Sequence, residues 1–259
     1  MWNTERTERL VGRLDPSTDF NFEHFRMRHM LAELLRPGLP PGTEAPDLEL
    51  PSTDGTLHQL SALRGQPVLL HFVSYTCPVT RGGIATMREL YRLYGQQVRF
   101  IEVLIRQAHP GERHGAYHSG EQKLQDARDY KQEEDIPWPV LADDLACTVQ
   151  RAYGGLAAAA YLIDSRGRIA FCGTWGQSPA LRQAIDDLLA RGGSGTPAGA
   201  GTDRRPHLAG AIVAGRRGPA RGGRRALFDL ELGFPGGNIL MLVGPAFRPL
   251  VKATLRTHS

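Results

Sequence analysis

The sequence predicts an α/β domain with a central mixed β-sheet flanked by helices, preceded by an N-terminal helix and followed by a basic C-terminal extension. Two observations carry this. From about Thr43 to Ala190, short continuous apolar runs alternate with longer amphipathic stretches, the pattern of strands and covering helices. Glycine- and proline-rich segments, PGLPPG at 37–42 and RGGSGTPAGAGT at 191–202, then fence that region off on both sides. The 259 residues, 41% hydrophobic and 22% charged, suffice for an ordinary buried core.

The elements read in order. Over 20–36, Phe22, Phe25, Met30, Leu31 and Leu34 recur at near-helical spacing, so an amphipathic helix is expected there, stopped by Pro37-Gly38. Pro67 to Val73 (PVLLHFV) is a continuous apolar run suited to a strand buried on both faces. Residues 80–94 put Ile84, Met87, Leu90, Tyr91 and Tyr94 on one helical face. Val98 to Ile105 is a second strand, 121–134 a polar helix, Val140-Leu141 the end of a short third strand, and 143–153 a further helix. YLID (161–164) and RIAFC (168–172) flank Ser165-Arg166-Gly167 as a hairpin, and 178–190 is the last helix. A βαβ unit joined to a ββα unit is the thioredoxin-like order. The division expected is therefore 1–37, an N-terminal helical segment; 38–193, the thioredoxin-like domain; and 194–259, a flexible linker and Gly/Arg-rich extension.

The net charge of +4 is unevenly spread. From Asp203 onward ten basic side chains face three acids, so the preceding chain, with 21 basic and 24 acidic residues, is slightly acidic. RRGPARGGRR (216–225) and FRPLVKATLR (247–256) bracket the apolar run ILMLVGPAF, a pattern open to contact with a membrane surface or a protein partner, or to a loosely docked extension. Sparse aromatics and the lack of a nucleic-acid motif argue against nucleic acid. No run of 18 apolar residues occurs, and the charged start MWNTERTERLVGRLD lacks the apolar stretch of a secretory signal, so a cytoplasmic protein is expected.

Three cysteines, Cys77, Cys147 and Cys172, make neither a disulfide framework nor a metal-finger pattern. Cys77 follows the buried strand and precedes a helix opened by Pro78, a residue suited to the first helical turn. Unpaired N–H groups and the positive end of the helix dipole would favour its thiolate, the nucleophilic form. The alternative is a cysteine that only packs. Cys147 reads as core-facing, and Cys172 as core filler or a resolving thiol.

The run APDLELPSTDGTLHQLSALRGQPVLLHFVSYTCPVT and the later AYLIDSRGRIAFCGTWG resemble the redoxin branch of thioredoxin-fold proteins, which includes the peroxiredoxins. More narrowly, SYTCP, FIEVLIRQAHPGE and RAYGG resemble the iodothyronine deiodinases and their bacterial relatives, in which selenocysteine holds the place of Cys77. The likeness spans residues 43 to about 190. It implies a redox role for Cys77 and a deiodinase-like position for His118. The chain departs from neighbouring patterns in specific places. Thr80 stands where a CxxC pair has its second cysteine, and Leu70 and Ser74 stand where peroxiredoxins have proline and threonine. Ala158 falls where most thioredoxins carry a proline, and Arg106-Gln107 replace the deiodinase acids before Ala108-His109-Pro110.

Around Cys77, Ser74, Thr76 and the backbone at Pro78 are expected to orient the sulfur. His109, beyond the neighbouring strand, is either a proton donor or acceptor or an idle loop residue. Arg106 either steadies a thiolate or forms an ion pair. Trp138 and Trp175 either wall a substrate pocket or pack in the core. His109, Glu112, His114 and His118 share one loop in a spacing that matches no standard metal set, so no metal or cofactor is expected. The expected function is a single-cysteine thiol oxidoreductase. It would attack a small-molecule electrophile — peroxide oxygen, or a halogen or sulfur on an organic substrate — and be restored by an external thiol reductant. The alternative is a non-enzymatic binding module that docks through its N-terminal helix and basic tail. A homodimer is open in either case.

Overall fold

The computed structural model describes residues 20–36, 38–154, 157–176, 178–196, 201–205, 207–247 and 249. The charged N-terminal stretch (1–19), most of the second basic run of the tail, and residues 197–200 of the expected linker lie outside them.

A six-stranded sheet organises the molecule. Its strands are β3 (Val68–Val73), β4 (Arg99–Leu104), β5 (Val140–Ala142), β6 (Ala160–Ile163), β7 (Ile169–Gly173) and β8 (Thr202–Asp203), in the order β5-β4-β3-β6-β7-β8. β3, β4 and β5 run parallel, β6 is antiparallel to β3 and to β7, and β8 pairs parallel with β7. All six residues of β3 are buried, as its unbroken apolar run requires of a central strand. Its side chains alternate between two cores: Val68, Leu70 and Phe72 enter one, Leu69 and Val73 the other. Each such fully buried aliphatic side chain contributes about 1.5–3 kcal/mol relative to exposure.

The core of Leu69 and Val73 is closed by α2 (Pro78–Tyr94), α3 (Gly120–Glu133) and α5 (Pro179–Ala190). Ile84, Met87, Leu90 and Tyr94 are the buried stripe of α2, at the spacing the sequence predicts. On the other face lie α4 (Thr148–Ala152) and a short hairpin of β1 (Glu49–Pro51) and β2 (Leu57–Gln59) that sequence patterning leaves unread. The hairpin turns at Gly55, whose φ of 86° suits glycine, and Asp54 accepts the N–H of Thr56 at 2.9 Å.

Several boundaries differ from expectation for identifiable reasons. The N-terminal helix, α1, spans only Met27–Leu35 because Arg26 is extended and the chain before it lays Phe22 and Phe25 against the domain. The helix expected over 143–153 shrinks to α4. Asp143 accepts the N–H groups of Val149 and Gln150, Asp144 accepts that of Thr148, and Cys147 takes a left-handed turn with φ of 56°. The extension from 194 is expected to be flexible, yet its described residues are mostly helical. After β8 come α6 (Ala209–Ala214), α7 (Arg217–Gly222), α8 (Arg224–Gly233), α9 (Gly237–Val243) and a 3-10 turn at Gly244–Phe247. Several of its glycines permit close packing. A Cβ on Gly82 of α2 would meet the backbone of Gly210 at 2.3 Å, and one on Gly215 would meet the Pro78 carbonyl at 2.5 Å.

Candidate active site

Cys77 is the N-cap of α2. Its N–H donates to the Ser74 carbonyl at 3.1 Å, closing a turn off β3, and its Sγ accepts the Thr80 N–H at 3.5 Å. Two hydroxyls tie this loop to the one leaving β4. Ser74 Oγ accepts the Ala108 N–H at 2.8 Å, and Thr76 Oγ1 accepts the His109 N–H at 3.0 Å while donating to Gln107 Oε1 at 2.9 Å. Gln107 Nε2 donates onward to Tyr117 Oη at 2.8 Å and Asp126 Oδ2 at 2.6 Å, and Tyr117 Oη donates to the same oxygen. His114 Nδ1 contacts the other Asp126 oxygen at 3.0 Å. A satisfied buried network of this kind fixes a single loop geometry.

Cys77 lines a cavity of about 150 Å³ with almost wholly apolar walls. Three parts of the chain close it: Phe25 and Met30 from the N-terminal segment, Cys77, Pro78 and His109 from the sheet end, and residues of α6, α8 and α9, Met241 among them. Cys77 is 5% exposed, because α7 lies directly on its loop. A Cβ on Gly218 would stand 2.6 Å from the Cys77 carbonyl oxygen. Arg221 fastens α7 there. It stacks on the Tyr75 ring at 4.3 Å, donates to the Tyr75 carbonyl at 3.1 Å, and reaches Glu133 and Glu134.

This cover reverses one expectation. Burial pushes the Cys77 thiol up, outweighing the downward pull of the Thr80 and Val79 groups at the helix start, so the closed site holds a thiol rather than a thiolate. His109 shares the cavity wall and stacks against Phe25 at 4.3 Å. Burial, and then the charge of Arg106, depress its imidazole to about 3 against a smaller upward pull from Asp229. His109 is therefore neutral at pH 7, able to accept a proton but not to stand as an imidazolium beside a thiolate. Its Nδ1 and the Nε1 of Trp175 are buried polar atoms of the wall with no hydrogen-bond partner among the described residues.

The remaining predicted residues divide. Pro78 and Arg106 line the cavity with Cys77 and His109. Arg106, however, is paired with the buried Glu33 and lies over the Phe22 ring, so its charge is met by that carboxylate rather than by a thiolate. Ser74 and Thr76 are buried behind the cavity and act as ties between loops. His118 does not join them. It is 78% exposed, 3.6 Å from Glu23, because the Ser119-capped start of α3 carries it outward. Cys172 is buried on β7 against Tyr161, and Cys147 caps α4; neither lines the cavity. Of the tryptophans, Trp175 walls the cavity, while Trp138 packs in the core on Tyr91 and Phe100. Ala158, at the position of the usual thioredoxin proline, has φ of 77° and donates to the Phe72 carbonyl at 2.8 Å. Glu33, the tail residues and the Gln107–Tyr117–Asp126 chain lay beyond sequence reasoning, since only the tertiary fold brings them to Cys77.

A model of the AhpC/TSA family matches residues 41–172, taking in the hairpin, Cys77 and the strands through β7. The chain belongs to the AhpC/TSA family. It is thus a redoxin of thioredoxin-like fold, and its relatives include thiol-disulfide oxidoreductases. The thiol-disulfide oxidoreductase ResA of Geobacillus thermodenitrificans (strain NG80-2) is 30% identical over 129 residues, which is 49% of this chain and 66% of ResA. The match thus spans just under two thirds of that relative. Among solved structures, a putative protein disulfide isomerase from Bacteroides thetaiotaomicron aligns at 21% identity and TM-score 0.47, covering 59% of this chain and 91% of that one. The peroxidoxin BcpB of Mycobacterium tuberculosis aligns at 18% and 0.46, covering 59% and 97%. In this AhpC/TSA chain Thr80 stands where a CxxC pair has its second cysteine, and α7 covers the loop of Cys77.

Proposed function

We propose that this protein is a single-cysteine thiol oxidoreductase in which Cys77 attacks an apolar organic electrophile held in the cavity. One observation carries the reading: of the three cysteines, Cys77 alone lines that cavity, at a helix N-cap with a backbone N–H on its sulfur. With a hydroperoxide, the sulfur takes the distal oxygen, the O–O bond breaks, and the alcohol leaves with the thiol's proton. With a disulfide, the sulfur forms a mixed disulfide and expels the other thiol. In the first case one external thiol condenses with the sulfenic acid and releases water; a second thiol then frees Cys77 as an external disulfide forms. Thr80 occupies the place of a resolving cysteine, which is why the reductant is external. The deiodinase-like SYTCP and AHP segments add organic halides to the electrophiles worth assaying.

The test is turnover of an external dithiol with an aryl hydroperoxide and with hydrogen peroxide. The expected result is activity that disappears in Cys77→Ser and favours the apolar substrate. Burial of the thiol favours a second reading in one respect, a redoxin fold kept as a binding module. Absence of turnover with every electrophile class, together with a stable protein, would establish that module instead.

A further inference from the structure

The tail presents an apolar surface that the redoxin chemistry does not use. Phe228, Leu232, Ile239, Leu242, Val243 and Phe247 are all exposed on α8, α9 and the 3-10 turn, Ile239 at 66% and Phe228 at 63%. Elsewhere among the described residues, exposed large apolar side chains are single and scattered: Leu31, Leu57 and Leu145. Exposed apolar side chains gathered on consecutive elements of a folded protein mark a candidate interaction site.

Charge decides among the occupants. Arg216, Arg217 and Arg224 are exposed beside this patch in the chain and have no paired carboxylate among the described residues. The acids of the same stretch are engaged by other groups, Asp229 within the fold and Glu231 at the start of α9. Asp229 is buried against Arg26 at 3.2 Å and His24 at 3.0 Å, and Glu231 accepts the N–H groups of Gly236 and Asn238 at the start of α9. A second copy of the chain would bring these arginines against themselves. An anionic lipid surface offers both acyl chains for the apolar side chains and phosphates for the guanidinium groups. Among the described residues no single helix is long and apolar enough to cross a membrane, and α8 meets the segment Gly237–Phe247 at 111°. Phe234 and Leu240 are half-exposed on this surface and also line the cavity.

We propose that α8 and α9 dock on an anionic lipid surface, with the Cys77 cavity opening beside the acyl chains. That the cavity loads apolar electrophile from the lipid rests on the reading of Cys77 as the nucleophile; the docking does not.

The full-length protein is sedimented with vesicles of phosphatidylcholine alone and of phosphatidylcholine mixed with phosphatidylglycerol. The expected result is capture by the mixed vesicles, weakened on phosphatidylcholine alone and by added salt. The double variant Ile239→Asp with Leu242→Asp, at exposed positions outside the cavity, should bind mixed vesicles at least about tenfold more weakly. Its circular dichroism and the iodoacetamide rate of its Cys77 should match wild type. Cys77→Ser should bind like wild type, which separates failure of docking from failure of the chemistry. Three results would each overturn the proposal: no capture of wild type by mixed vesicles, equal capture of the double variant, or a lipid-free dimer that the double variant dissociates, which would assign the face to a second copy.

Discussion

At the residue scale, Cys77 and His109 show how position and environment oppose each other. The sequence places the thiol where a helix start lowers its pKa, and Pro78 at N1 and the Thr80 N–H confirm that position. What the sequence does not expose is the cover, because Gly218 and Arg221 lie more than a hundred residues away. Burial then reverses the sign of the shift. His109 is subject to the same force. Its folded pKa is held at about 3 against an ordinary 6.5, so below pH 6.5 the unfolded chain binds a proton that the folded site refuses. The stability that neutral His109 contributes is present above pH 6.5 and is lost as pH falls toward 3. By about pH 4 the loss should reach about 3 kcal/mol. Urea unfolding of wild type and His109→Gln between pH 7 and 4 should show the variant losing less. Equal slopes would mean the imidazole is hydrated in solution.

At the element scale, β3, β4, α2 and α5 are legible because each carries an unbroken apolar run or a clear helical stripe. The β1–β2 hairpin is missed because three-residue strands at the surface give no period to read, Leu57 being exposed and Leu50 buried. The tail is misread for a different reason. Glycine and arginine together look like a linker, yet here Gly82, Gly210, Gly215 and Gly218 let α6 and α7 approach α2 backbone to backbone. Composition reports the absence of a side chain but not the neighbour that requires it. Gly82→Leu should therefore force α6 off α2. We expect a loss of about 2 kcal/mol in stability and a faster iodoacetamide reaction at Cys77. Gly120→Ala, at a position with nothing within 4 Å, should leave both unchanged. A fast-reacting Cys77 in wild type that Gly82→Leu does not alter would show that α6 and α7 do not cover the thiol.

At the scale of the whole molecule, the family's domain and the chain's own additions make one site. The match to the AhpC/TSA family ends at Cys172, while the cavity is completed by residues as far along as Met241 and as early as Phe22. The family accounts for where the sulfur stands, and the two flanking segments supply the apolar walls around it. The most direct measurement is peptide mass spectrometry of wild type and Cys77→Ser after limiting aryl hydroperoxide in the presence of a dione trap for sulfenic acid. The account predicts a trapped adduct on Cys77, none on Cys147 or Cys172, and no adduct in Cys77→Ser. An unmodified Cys77, or a Cys77–Cys172 disulfide, would contradict it.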